Sequence, residues 1–155
     1  MSLQELYRQV ILDHYRNPRH REPLADPDAS SEGANPLCGD EVKVDLRLRD
    51  DRISGIAVIG KGCSISQSSA SLMSEAVSGN AVSEALGLST RFQELMNVPA
   101  DSSENGFSDL GDLLALSGVR RYPVRIKCAT LSWVTLEQAL GEPGMAGADV
   151  AEDPG

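Results

Sequence analysis

The apolar positions along the chain change period several times, and each change predicts an element. Leu3, Leu6, Tyr7, Val10, Ile11 and Tyr15 recur at helical spacing, with Ser2 able to cap the start and Pro18 ending the pattern after Asn17. This predicts an amphipathic helix over about Leu3 to Tyr15, its apolar stripe packed on the core. Arg19 to Asn35 is polar and rich in Pro, Ser and Asp, and reads as a loop with room for one short strand. Val42, Val44, Leu46 and Leu48 then alternate with Lys43, Asp45, Arg47 and Arg49, the period of a half-buried strand. Asp50-Asp51 signals a turn and Ile53 to Ile59 is a second β-branched run, so the two should pair as an antiparallel hairpin.

After Cys63 the period returns to helical. Ile65, Leu72, Met73, Ala76 and Val77 predict a helix with many Ser and Ala residues, capped by Ser64 and stopped by Gly79. A further helix is expected from about Val82 to Met96. Pro99 to Ser108 reads as a polar loop, and Leu110 to Leu116 as a short helix ended by Gly118. A strong helix begins near Pro123, a residue favoured at the first helical position, and carries Cys128 about a turn and a half in. From Gly141 onward Gly, Pro, Ala and Asp dominate, so residues 141–155 are expected to be a disordered tail behind a single domain over 1–140.

Composition narrows the function classes. The 155 residues carry a formal net charge of -9, which argues against nucleic-acid binding, since phosphate affinity rests mainly on Lys and Arg. Met1 to Tyr15 mixes Glu5, Arg8 and Asp13 into its apolar residues, unlike a signal peptide, and no apolar run is long enough to span a bilayer. A cytoplasmic protein with no membrane partner is the expectation. In a reducing compartment, cysteines are more often metal ligands, catalytic groups or buried hydrophobes than disulfides.

The three cysteines stand in Leu37-Cys38-Gly39-Asp40, Gly60-Lys61-Gly62-Cys63-Ser64-Ile65-Ser66 and Arg125-Ile126-Lys127-Cys128-Ala129-Thr130. The hairpin brings Cys38, before its first strand, beside Cys63, after its second. Glycines flank both, permitting tight turns and close backbone approach. Cys63 falls at a helix start, where the dipole favours a thiolate, and Cys128 can point back to the same sheet edge. Zinc takes four tetrahedral ligands from Cys, His, Asp and Glu. His14 and His20 have no motif context, so Asp40, two residues from Cys38, is the better fourth ligand. An iron–sulfur cluster is the other metal reading of these thiols. The alternative is three buried core cysteines with Asp40 merely turning the chain. No C-x-x-C dithiol occurs.

With these motifs assembled, the chain closely resembles the SufU family, sulfur-acceptor relatives of the IscU scaffold proteins, up to about Leu140. The resemblance rests on Leu6-Tyr7-Arg8-Gln9-Val10-Ile11, Asp13-His14-Tyr15-Arg16-Asn17-Pro18, Asn35-Pro36-Leu37-Cys38-Gly39-Asp40, Gly60 to Ser66, and Arg125 to Trp133. IscU proteins have a histidine before the third cysteine, where Lys127 stands here. SufU proteins also carry an insertion between the second and third cysteines, which the segment from roughly Met96 to Leu116 resembles, Asp109-Leu110-Gly111-Asp112 included.

The resemblance implies an α+β fold, a small antiparallel sheet of about three strands packed against several helices. It implies zinc held by Cys38, Asp40, Cys63 and Cys128, and Cys38 as acceptor of persulfide sulfur from a SufS-type cysteine desulfurase. It further implies that a desulfurase histidine replaces Cys38 on the metal, freeing its thiolate to attack, and that the sulfur moves on to an iron–sulfur assembly scaffold. Arg125 and Lys127 are candidates for steering the anionic persulfide, with ordinary exposed charges as the alternative. The favoured function is thus a zinc-dependent sulfurtransferase. The alternatives are an IscU-type scaffold that holds a transient iron–sulfur cluster, and a structural zinc domain that only docks to a desulfurase.

Overall fold

A computed structural model describes residues 3–99 and 105–141. Among these the elements run α1 (Leu3–Arg16), β1 (Ala29–Asn35), β2 (Asp40–Arg49), β3 (Arg52–Lys61), α2 (Ser64–Val77), α3 (Val82–Asn97), a 3₁₀ segment (Asn105–Arg121) and α4 (Pro123–Ala139). The fold is α+β, as expected. Most of the tail expected from Gly141 lies outside the described residues, as does 100–104 of the expected Pro99–Ser108 loop.

The sheet is antiparallel in the order β1-β2-β3. The β2–β3 hairpin matches the alternation in the sequence. Asp50 and Asp51 both take positive φ, 53° and 62°, the signature of a two-residue turn that follows strand twist. Val42, Val44 and Leu46 are buried on the core side, facing Val58 and Ile56 in register across from Val44 and Leu46. The short strand allowed for in the Arg19–Asn35 loop is seven residues long, and its composition, ASSEGAN, hides it. Its place is set by packing rather than propensity: a Cβ on Gly33 would overlap Thr135 Oγ1 of α4 and come 3.2 Å from Leu131. β1 is therefore a strand that a helix lies directly upon.

α4 is the central helix. From Leu131 to Glu137 every residue is buried, so it shows no single apolar stripe. Trp133 stacks on Phe92 of α3 with centroids 5.3 Å apart, an arrangement worth about 0.5–1.5 kcal/mol beyond burial. α2 meets α4 through small side chains, and its buried hydroxyls bond main-chain carbonyls: Ser68 to Ser64 O at 2.7 Å, Ser74 to Ser71 O at 2.7 Å and Ser69 to Ala129 O across the interface.

Two expectations change. The short helix over Leu110–Leu116 is a 3₁₀ segment that begins at Asn105, inside the expected loop, and continues past Gly118 to Arg121, with non-helical φ/ψ at Phe107 and Gly111. Its leucines still reach the core, because Leu110, Leu113 and Leu116 recur at the three-residue period of a 3₁₀ turn and all three are buried. Ser64 does not cap α2: Cys63 holds the N-cap position and no side chain caps it.

Candidate metal centre

β1 and β2 are joined by the four residues Pro36–Gly39, because Asn35 pairs with Asp40 in register. Cys38 rides on that loop, half-buried, its N–H bonded to Asn35 O at 3.1 Å and Gly39 turning the chain at φ 71°. Asp40 opens β2 and is 1% exposed. Cys63 follows β3, which ends beside Asp40 because Lys61 pairs with Glu41. Cys128 lies one turn before Leu131, the residue over β1, and so projects at the same end of the sheet, fully buried.

Three of the four expected ligands converge closely. The ligand atoms of Cys38, Asp40 and Cys128 all lie within 4.8 Å of one another, and the two sulfurs are 3.2 Å apart. Cys63 borders this triad: its sulfur is 4.0 Å from Asp40 Oδ2, while its N–H donates to Asp40 Oδ1 at 2.9 Å. A tetrahedral zinc ion with Zn–S near 2.3 Å sets its ligand atoms roughly 3.7 Å apart, so these separations match what one ion would bridge. Thiolate sulfur with one carboxylate is also a donor set that suits zinc.

The electrostatics point the same way. Burial pushes the Cys128 thiol far above its ordinary pKa, and Asp40, Cys38 and Cys63 add to the shift. Negative charge on Cys128 is therefore unfavourable here without a cation beside it. Gly62 makes the crowding possible. It adopts φ 148°, and a Cβ there would overlap Asp40 Oδ1 and lie 2.8 Å from Ser66 Oγ. Gly60 is equally required, since its Cβ would overlap Glu41 O.

Asn35 is the site residue that residue-by-residue reading passed over. It is buried and donates its side-chain N–H to the Cys128 sulfur at 3.7 Å. Its signal was its place in the Asn35-to-Asp40 run. Arg125 and Lys127 are exposed on the first turns of α4 and, among the described residues, bond none of the four ligands. His14 is buried and bonded to Ser71 Oγ at 2.8 Å, a structural contact away from the cysteines. No described helix is long and apolar enough to cross a membrane.

Comparison with known proteins agrees with this geometry. The zinc-dependent sulfurtransferase SufU of Bacillus subtilis strain 168 is 42% identical over 141 residues, 91% of this chain and 93% of that protein. The iron–sulfur cluster assembly scaffold protein IscU of Streptococcus pyogenes serotype M1 is 37% identical, over 90% of this chain and 85% of its own length. A candidate iron–sulfur cluster assembly scaffold for the SUF system from Fervidobacterium islandicum AW-1 superposes with a TM-score of 0.77 at 31% identity, covering 90% of this chain and 99% of that one. The pattern of the NifU-like N-terminal domain spans residues 6–129. The chain belongs to the family of NifU-like N-terminal domains, and its resemblance to the SufU members is borne out.

Proposed function

We propose that this chain is a zinc-dependent sulfurtransferase of iron–sulfur cluster assembly. It takes sulfane sulfur from the persulfide of a SufS-type cysteine desulfurase onto Cys38 and passes it to a downstream scaffold, in the cytoplasm. One observation carries the reading. Cys38 stands on a loop, half-buried and next to Leu37, which is 77% exposed, yet its sulfur is 3.2 Å from the buried Cys128. One thiol of the set can thus be reached by a donor while another cannot. The Bacillus subtilis relative, named for this activity, supports the same assignment.

In this reading Cys38, Asp40, Cys63 and Cys128 hold the zinc. Bound zinc would keep the thiols deprotonated at neutral pH, where burial and neighbours otherwise favour the protonated form of Cys128. The remaining chemistry belongs to the chain. The Cys38 thiolate attacks the outer sulfur of the donor persulfide. A new S–S bond forms on Cys38, the donor S–S bond breaks, and its electron pair leaves with the donor cysteine as a thiolate. No oxidant or reductant is consumed. Asp40 is held by the Cys63 N–H and Cys128 by Asn35, while Cys38 stands on the connecting loop with its own N–H on Asn35 O. Arg125 and Lys127 steer the anionic persulfide.

The test is mass spectrometry after incubation with a cysteine desulfurase and cysteine. One added sulfur on Cys38 is expected, abolished in Cys38→Ser. Sulfur on Cys63 instead, or full desulfurase stimulation by Cys38→Ser with zinc bound, would overturn the assignment. The IscU relative keeps a second reading in view, a scaffold on which a cluster is built. A stable, transferable visible chromophore in the purified protein would favour it.

A further inference from the structure

A cleft of about 1070 Å³ opens away from the sheet, between α1, the first residues of α2, the end of the 3₁₀ segment and the start of α4. Its composition departs from that of the chain. The protein has 23 Asp and Glu against 14 Lys and Arg. The cleft is lined by Arg8, Arg120, Arg121 and Arg125 and, among the described residues, by no carboxylate. Arg120 is buried and bonds Ser117 O and Pro99 O, so it belongs to the framework. Arg8, Arg121 and Arg125 are exposed, and among the described residues none is ion-paired. Between them lie Tyr122 and Val124, exposed by 62% and 59%, with Ile11 and Ile65 on the floor.

An apolar floor alone would leave the occupant open. Three unpaired guanidiniums around it decide the charge, and the volume, at the top of the roughly 300–1,000 Å³ range of small-ligand sites, favours a peptide over a small anion. We propose that this cleft is a docking groove for an acidic amphipathic helix of a partner protein. Apolar side chains from one face of that helix fill the floor over Ile11 and Ile65, and flanking carboxylates meet Arg8 and Arg121. The groove ends at Ser64, next to Cys63, and at Arg125, one turn before Cys128, so a partner held here lies beside the thiols. The inference stands whether or not the sulfur-transfer reading does.

The probe is a fluorescein-labelled synthetic helix of about four turns, with a leucine stripe flanked by glutamates, followed by anisotropy. Saturable binding is expected, weakened several-fold between about 0.05 and 0.3 M salt as the ion pairs are screened. Arg8→Glu with Arg121→Glu should weaken it by roughly tenfold or more, while Arg49→Glu on the sheet leaves it unchanged. If the reversed pair alters the circular dichroism, Arg8→Gln with Arg121→Gln replaces it, with a smaller loss expected. The proposal falls if no saturable binding is seen, or if a lysine-for-glutamate peptide binds equally well. It also falls if inorganic phosphate alone displaces the probe at equal concentration, or if the wild type self-associates and the Arg8/Arg121 variant does not. The last two outcomes would assign the cleft to a small anion or to a second copy of the chain.

Discussion

The N–H of Cys63 donates to Oδ1 of Asp40 at 2.9 Å, so one metal-ligand candidate holds another by its backbone. Gly62 allows the approach, since its φ of 148° and missing side chain leave room for that carboxylate. Gly62→Ala should therefore cost about 1–3 kcal/mol in urea unfolding from backbone strain and weaken zinc binding markedly. Gly79→Ala is the control. It also sits at positive φ, 82°, but a Cβ there meets nothing within 4 Å. Its cost should appear in stability alone. Competition against a chromophoric chelator reads the difference, and equal zinc retention by the two variants would refute the coupling.

The cysteines should respond unequally to serine. Cys128 is fully buried, and Asn35 and Cys38 pack on its sulfur. Cys128→Ser places a stronger polar group in that pocket and should destabilise the metal-free fold by about 1–3 kcal/mol. Cys38, on an exposed loop, should tolerate serine with little loss of metal-free stability. Thermal unfolding in excess chelator separates the two effects from zinc loss. Returning zinc should raise the wild-type midpoint well above that of either variant.

His14 introduces a pH dependence of known sign. Burial holds its ring below the ordinary value of 6.5, with Arg19 adding to the effect. Ser71 Oγ accepts from the Arg19 N–H at 2.9 Å and lies 2.8 Å from Nδ1 of His14, where its hydroxyl can donate to the neutral ring. The fold thus favours the neutral imidazole. A depressed pKa contributes stability present above the unfolded value and lost as pH falls toward the folded one. Urea midpoints should be flat from about pH 8 to 7 and then decline below 6.5, the ordinary value for the ring. His14→Gln should remove the part of that decline above about pH 5. The same decline in the variant would place its origin elsewhere.

The legible parts of this chain were those in which local pattern and tertiary role agree. Val42, Val44 and Leu46 alternate because one face of β2 is core, and Asp50-Asp51 turns because both residues accept positive φ. β1 was nearly invisible because a helix packs on its face: Gly33 is chosen by Thr135, far along the chain, and not by strand propensity. Ser64 looked like a cap, yet Cys63 takes that position and leaves the cap unmade, with its N–H given to Asp40 instead. The cysteine cluster was readable because its glycines and Asp40 are adjacent in sequence to the thiols. The arginine cleft was not, since Arg8 meets Arg121 and Arg125 only through folding.

Arg91 ties the 3₁₀ segment to α3. It pairs with Asp109 at 2.9 Å and with Glu94 at 3.2 Å, lies 4.6 Å over the Phe107 ring, and bonds Gly106 O. Each contact is near the surface, where ion pairs contribute little to global stability. Phe107 and Gly111 interrupt the helical geometry of the segment, so its first turns are not one continuous, cooperative helix. Arg91→Ala should therefore leave the global unfolding midpoint almost unchanged while amides from about Gly106 to Asp112 exchange faster with solvent. Leu113 and Leu116, buried in the core, should keep their protection. Uniform loss of protection across the segment, Leu113 and Leu116 included, would show that the leucines do not anchor it without Arg91. Unchanged exchange at Gly106 to Asp112 would show that Arg91 holds nothing.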